Sequence, residues 1–148
     1  MPTDLQHLNR RSAETTGVKL QKGSGEEQLD SVPFAASILR LPDLDHGPDA
    51  FLDSAAVLKC VDLLITSDTA IAHLGGALGV PTWLCLMQPA DWRWMQRGAT
   101  TPWYASMRLF RQSRPGDWTG VFTEVASALA AHASAAAGAA PRWSEAGS

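Results

Sequence analysis

The sequence predicts an α/β fold with a parallel sheet, and three observations predict it. The stretch Val61 to Met87, VDLLITSDTAIAHLGGALGVPTWLCLM, reads strand, helix, strand. Two strands joined in this way lie parallel with a right-handed crossover. A helical apolar stripe precedes it in Asp49 to Lys59, and a further strand and helix follow it from Met107 onward, so the alternation is sustained.

Length and composition narrow the class. A chain of 148 residues suits one domain with a substantial core. The formal net charge of −3 and the lack of a Lys/Arg-rich run exclude a nucleic-acid surface. No apolar run approaches the roughly 20 residues needed to span a bilayer. The start, MPTDLQHLNRRSAETTG, lacks the apolar core of an export signal. Cys60 and Cys85 each adjoin an apolar segment, and both read as small core residues of a reduced, cytoplasmic protein.

In chain order, residues 1–16 form a polar segment without a period. Gly17 to Gln21 reads as a strand ending in the turn Lys22-Gly23-Ser24-Gly25. A lysine in a glycine-rich turn suits a phosphate, and the same pattern suits a solvated turn. Glu26 to Asp30 starts a short helix, and Ser37 to Leu41 is a further strand. The acidic loop Pro42 to Asp49 carries Asp43, Asp45 and His46, which invite a metal; an acidic solvated turn explains them as well. Asp49 to Lys59 is a helix whose stripe of Phe51, Leu52, Ala55, Ala56 and Leu58 covers the sheet.

Val61 to Thr66 is a strand buried on both faces. It stops at Ser67-Asp68-Thr69, whose side-chain oxygens suit a helix cap, with Asp68 as the cap and Thr69 as the first helical residue. The helix from Thr69 to Leu78 is small-sided. Each mid-helix glycine costs about 1 kcal/mol relative to alanine, so Gly75 and Gly76 imply close packing. Gly79 and Pro81 end the helix, and the strand Thr82 to Met87 follows.

The next loop holds Trp92, Trp94, Trp103 and Tyr104, three of the six tryptophans and the only tyrosine. It lies beyond a strand's carboxyl end, where ligands bind in open α/β sheets. Trp92 and Trp94 alternate, as do Asp91 and Arg93, so one pair packs while the other forms an ion pair at a rim. Met107 to Arg111 is the last strand. Asp117 caps a final helix with Trp118, Val121, Phe122, Val125, Ala126 and Leu129 facing the core. Residues 132–148 form an Ala/Gly-rich tail expected to lack order.

Chemistry enters at the turn after Thr66. Unpaired N–H groups at a helix start, backed by the helix dipole, attract an anion. Thr69 and His73, one turn apart, bring a hydroxyl and an imidazole to the same face. The same residues also fit a plain cap beside a half-buried histidine. No G-x-G-x-x-G joins a strand to a helix, so dinucleotide binding is not indicated.

The series LQKG, VDLLITSDTAIAHLGGALGVPTWLCL, DWRWM, PWYASMRLFRQ and GDW resembles the carboxyl-terminal domain of bacterial tetratricopeptide-repeat proteins that end in a glycosyltransferase-like module. That module is similar to glycosyltransferase family nine, the ADP-heptose:lipopolysaccharide heptosyltransferases. The resemblance runs from about Lys19 to Leu129. It implies the carboxyl-terminal half of a GT-B fold, a Rossmann-like three-layer α/β/α domain over residues 17–131, lacking its first strand. Carried over by position, Ser67, Asp68 and Thr69 face the diphosphate and sugar of a nucleotide-sugar donor with His73 behind them. Gln21 and Lys22 line the same cleft, and Asp91, Trp92, Arg93, Trp103 and Tyr104 form its rim.

The resemblance implies transfer without a bound cation or other cofactor, the donor being a substrate. It also places the acceptor-activating base on an amino-terminal domain or repeat region. No catalytic residue is therefore assigned within this chain, and the chain alone is expected to bind without transferring. The alternatives are a non-catalytic binding or interaction domain and an enzyme of another kind on the same fold, such as a nucleotide-sugar epimerase. An exposed sheet edge would favour pairing with a second copy.

Overall fold

The computed structural model describes residues 16–21, 26–41, 43–49 and 51–138. In chain order the elements are β1 (Gly17–Lys19), β2 (Ile38–Arg40), α1 (Leu52–Leu58), β3 (Leu64–Ser67), α2 (Ala70–Ala77), β4 (Thr82–Leu86), β5 (Met107–Arg111) and α3 (Trp118–Gly138), with short 3-10 turns at Glu26–Ser31, Ala35–Ser37 and Trp92–Trp94. The chain divides into two compact units, residues 43–130 and the residues on either side of that span. Both sheets are wholly parallel, as the α/β reading requires. β1 pairs with β2, and in the larger unit the order is β3-β4-β5.

The larger unit is a three-layer α/β/α arrangement, and the strand alternation builds it. Leu84, Leu86, Met107 and Leu109 point to one face, where they pack with Ala72 of α2 and with Trp94. Trp83, Cys85 and Phe110 point to the other, against Val121 and Val125 of α3. Every residue of β4 is buried, so the strand enclosed on both faces is the central one. That corrects the expectation for Val61 to Thr66. β3 begins only at Leu64 and forms one side of its three-stranded sheet. Ile65 pairs with Trp83 on the α3 face yet stays 40% exposed, because α3 packs over β4 and β5.

The glycines of α2 make the close approach that their cost implied. A Cβ on Gly75 would lie 2.7 Å from Leu64 Cδ2 and 2.8 Å from Thr82 Oγ1, so the helix backbone rests directly on those two side chains of the sheet. At its end Gly79 adopts φ +69°. Val80 N–H donates to Gly75 O at 3.0 Å and Gly79 N–H to Gly76 O at 3.1 Å, the paired bonds of a Schellman termination.

Several details correct the sequence reading. α1 starts at Leu52 after Phe51 in a left-handed conformation, and both of those side chains are exposed, as is Ala56; Leu58 faces inward as the stripe implied, joined by Ser54. The cause lies in the acidic loop. Asp45 Oδ1 accepts from Ser54 N–H at 3.0 Å, and Asp53 Oδ2 accepts from Asp45 N–H at 2.9 Å. These reciprocal bonds fasten the helix start to the loop, so the Asp45 carboxylate serves the backbone. Asp43 meets His46 Nδ1 at 3.2 Å. Cys60 is exposed rather than part of the core, whereas Cys85 is buried and its burial pushes the thiol pKa up. Phe122 and Ala126 are exposed, since α3 packs through Val121 and Val125, with Trp118, Ala128 and Leu129 beside them. α3 itself continues to Gly138, past residue 132 where the tail was expected to begin. The polar segment before residue 16, the turn from Lys22 to Gly25 and the chain after 138 lie outside the described residues.

Asp117 caps α3 as its position implied. Its Oδ1 accepts from Gly120 N–H at 3.0 Å and its Oδ2 from Ser113 Oγ at 2.7 Å. The Ser113 hydroxyl foremost, then the Gly120 N–H, hold its carboxyl below the usual aspartate range. A carboxyl depressed in the folded state adds stability above its unfolded pKa and loses it as pH falls through the folded value. Thermal melts across acidic pH should therefore show wild type above Asp117→Ala at neutrality, with the gap closing as pH drops below the aspartate range.

Candidate functional site

β3 ends at Ser67, and the chain turns into α2 through Asp68 and Thr69 at the carboxyl edge of the sheet. The helix start differs from expectation by one residue. Thr69, with extended backbone (φ −142°, ψ 169°), is the N-cap, and Ala70 is the first helical residue. Asp68 therefore precedes the cap. Thr69 makes no side-chain capping bond. Its hydroxyl turns back to Ser67 O at 3.3 Å and lies 3.2 Å from Thr66 Oγ1. The positive end of the helix dipole thus stands at the surface without a side-chain cap from that residue.

One turn into α2, His73 is braced by two aromatic rings from the loop beyond β4. Trp94 stacks on the imidazole with ring centroids 5.2 Å apart and planes 27° from parallel. Tyr104 meets it edge-on at 5.9 Å, and its hydroxyl lies 3.1 Å from Nδ1. The other ring nitrogen, Nε2, faces Asp68 Oδ1 at 3.9 Å. That separation exceeds a hydrogen bond. Both side chains are about one-third exposed, so the pair is reachable from solvent.

Gly76 makes this bracing possible. A Cβ there would lie 2.4 Å from Tyr104 Cγ, so the tyrosine ring rests on the bare helix backbone. The loop is fixed from below by Arg111, whose guanidinium donates to Gly98 O at 2.8 Å, to Met95 O at 3.0 Å and to Trp94 O. Desolvation lowers the Arg111 pKa from its usual value, and three carbonyl acceptors give the buried part of the cation its partners.

The expectation that Trp92 and Trp94 pack as a pair is met only by Trp94. Trp94 is fully buried, while Trp92 is 71% exposed. Asp91 Oδ1 accepts from Arg93 N–H at 3.0 Å and lies 3.3 Å from Arg93 Nε, which makes the ion pair. Trp103 is exposed, but its Nε1 donates to Arg93 O at 2.8 Å, which fixes the indole against the loop. Ser67, Asp68, Thr69, His73, Asp91, Trp92, Arg93, Trp103 and Tyr104 therefore belong to one unit, on the β3–α2 turn and the β4–β5 loop. Gln21 belongs to the other unit, where it lines a cavity of about 370 Å³ with Lys19, Glu26, Leu29 and Ile38. Lys22 lies outside the described residues.

Sequence reasoning missed Trp94 as the floor beneath His73, reading the tryptophan pair only by its alternation. The one signal present was the Gly75-Gly76 step, whose cost implies close packing on that helix. Among the described residues, no group of three or more His, Cys, Asp or Glu side chains converges as a metal site. Nor is any described helix long and apolar enough to cross a membrane.

No family model matches the chain, and no solved structure matches it. Among curated proteins it is similar to protein FlbA of Caulobacter vibrioides, 33% identical over 115 residues. That alignment takes in 76% of this chain but 19% of FlbA, so the chain spans about a fifth of that relative's length.

Proposed function

We propose that the start of α2 binds the diphosphate of a nucleotide sugar, and that the chain is the donor-binding half of a GT-B glycosyltransferase of the heptosyltransferase-like kind. The observation that carries this reading is an aromatic-braced imidazole, His73, one turn into a helix that follows a carboxylate at the carboxyl end of a parallel strand. Ligands bind outside that end of open α/β sheets. The backbone N–H groups at the helix start and the Nε2 edge of His73 would meet phosphate oxygens.

Asp68 decides what else the ligand must carry. A carboxylate beside an anion site repels a bare phosphate and accepts hydrogen bonds from hydroxyl groups. A ligand that joins a diphosphate to a polyhydroxylated ring satisfies both. Stabilising a departing diphosphate needs only fixed positive dipoles and donors, so a bound cation is not required by this reading. The base that activates an acceptor would come from another half, so the chain alone binds its donor and transfers nothing. Donors of this class and the exposed thiol of Cys60 both suit the cytoplasm.

A thermal-shift panel of ADP, UDP, GDP and their sugars tests the reading. A ligand at a hundredfold its Kd stabilises by about 2.7 kcal/mol. One nucleotide series should raise Tm by several degrees, and Asp68→Ala and His73→Ala should each remove most of that rise. A rise that survives both changes places the ligand elsewhere, and no rise with any nucleotide removes the proposal.

A further inference from the structure

We infer that Tyr104 is a positioning residue for His73: its hydroxyl fixes the ring proton on Nε2, so that the imidazole presents an N–H, not a lone pair, at the open edge of the site. That Nε2–H serves a phosphate oxygen rests on the function proposed above; the tautomer does not.

Neutral imidazole has one donor nitrogen and one acceptor, and its partners decide which is which. Two arrangements satisfy the 3.1 Å contact between Nδ1 and the Tyr104 hydroxyl. In one, the phenol donates to Nδ1 and the proton sits on Nε2. In the other, Nδ1–H donates to the phenol and Nε2 carries a lone pair. The second sets that lone pair against the Asp68 carboxylate at 3.9 Å, two electron-rich atoms facing each other. The first sets a polarised N–H there. Tyr104 and Asp68 therefore select the same tautomer from opposite sides of the ring.

The geometry also prevents the ring from escaping this choice. Trp94, without exposed surface, stacks on the imidazole, so a large ring rotation loses that contact. Tyr104 lies on the backbone at Gly76, where no Cβ intervenes, and its own carbonyl accepts from Met107 N–H at 3.1 Å as β5 begins. Because 3.9 Å is too long for a hydrogen bond, Asp68 biases the Nε2 proton without engaging it. The donor remains available to an incoming acceptor.

The test uses the full chain labelled with ¹⁵N-histidine. It has four histidines, and His73→Gln identifies the resonance that belongs to His73. At a pH where the ring is neutral, long-range proton–nitrogen spectra should show Nδ1 unprotonated and Nε2 protonated. Tyr104→Phe keeps the aromatic packing and removes only the hydroxyl, so His73 should move toward a mixture of both tautomers while His46 and His132 stay unchanged. Proton on Nδ1 in the wild type, or a spectrum unaltered by Tyr104→Phe, overturns the inference. In parallel, ADP, UDP and GDP are titrated into both proteins. The nucleotide that binds wild type should bind Tyr104→Phe roughly twofold more weakly, because only about half of the rings keep the Nε2 proton. Equal affinity overturns the positioning role, whereas no binding to either protein overturns the donor-site reading and leaves the tautomer to be judged by the spectra.

Discussion

Replacing Trp94 by alanine is expected to cost about 3–5 kcal/mol, the range for truncating a large buried ring. Its indole has no exposed surface and belongs to the cluster of Ala72, Leu84, Leu86, Met107 and Leu109. Little can collapse into the space it leaves, because Arg111 holds the loop in place through three carbonyls. The same change removes the surface on which His73 rests. Urea unfolding should show the loss in its midpoint, and any nucleotide binding should weaken along with it. Trp92→Ala is the contrast. With Trp92 71% exposed, its removal should stay within about 0.5 kcal/mol.

Alanine at Gly76 is the second large effect, and its sign is the informative part. In an open helix interior this change stabilises by about 1 kcal/mol. Here the new Cβ would sit 2.4 Å from Tyr104 Cγ and 2.7 Å from Cδ1. The ring cannot easily withdraw, because His73 and Trp94 lie against it. Overpacking of this kind costs about 1–3 kcal/mol and should outweigh the gain in propensity. Gly76→Ala is therefore expected to lower the unfolding midpoint and to pull the Tyr104 hydroxyl off His73 Nδ1. A more stable protein with unchanged His73 resonances would contradict the packing described for this helix.

The parts of the fold that were legible in the sequence are those set by local signals. β4 shows as a short apolar run, Gly79 marks the end of α2, and Asp117 marks the start of α3; each depends on neighbours within a few residues. The corrections concern groups whose environment comes from far along the chain. Phe51 and Leu52 fit a helical stripe, yet the bonds between Asp45, Asp53 and Ser54 turn them outward. Ile65 has the composition of an enclosed strand residue, but its place in the sheet order leaves it beyond the cover of α3.

The site divides in the same way. Asp68, Thr69 and His73 could be singled out because they surround one turn. Their bracing could not, since the hydroxyl on His73 comes from 31 positions later in the chain. The double glycine does indicate close packing on the helix. It does not indicate which ring, and only the fold brings Tyr104 there.

Mapping amide resonances during a titration tests most directly whether the start of α2 collects the diphosphate of a nucleotide sugar, as proposed. With ¹⁵N-labelled chain and the nucleotide sugar that gives the largest thermal shift, the account predicts the largest changes at the amides of Thr69, Ala70 and Ile71, with the His73 ring following. Changes concentrated at Gln21, Lys19 and the residues around them, with the α2 amides unmoved, would contradict it.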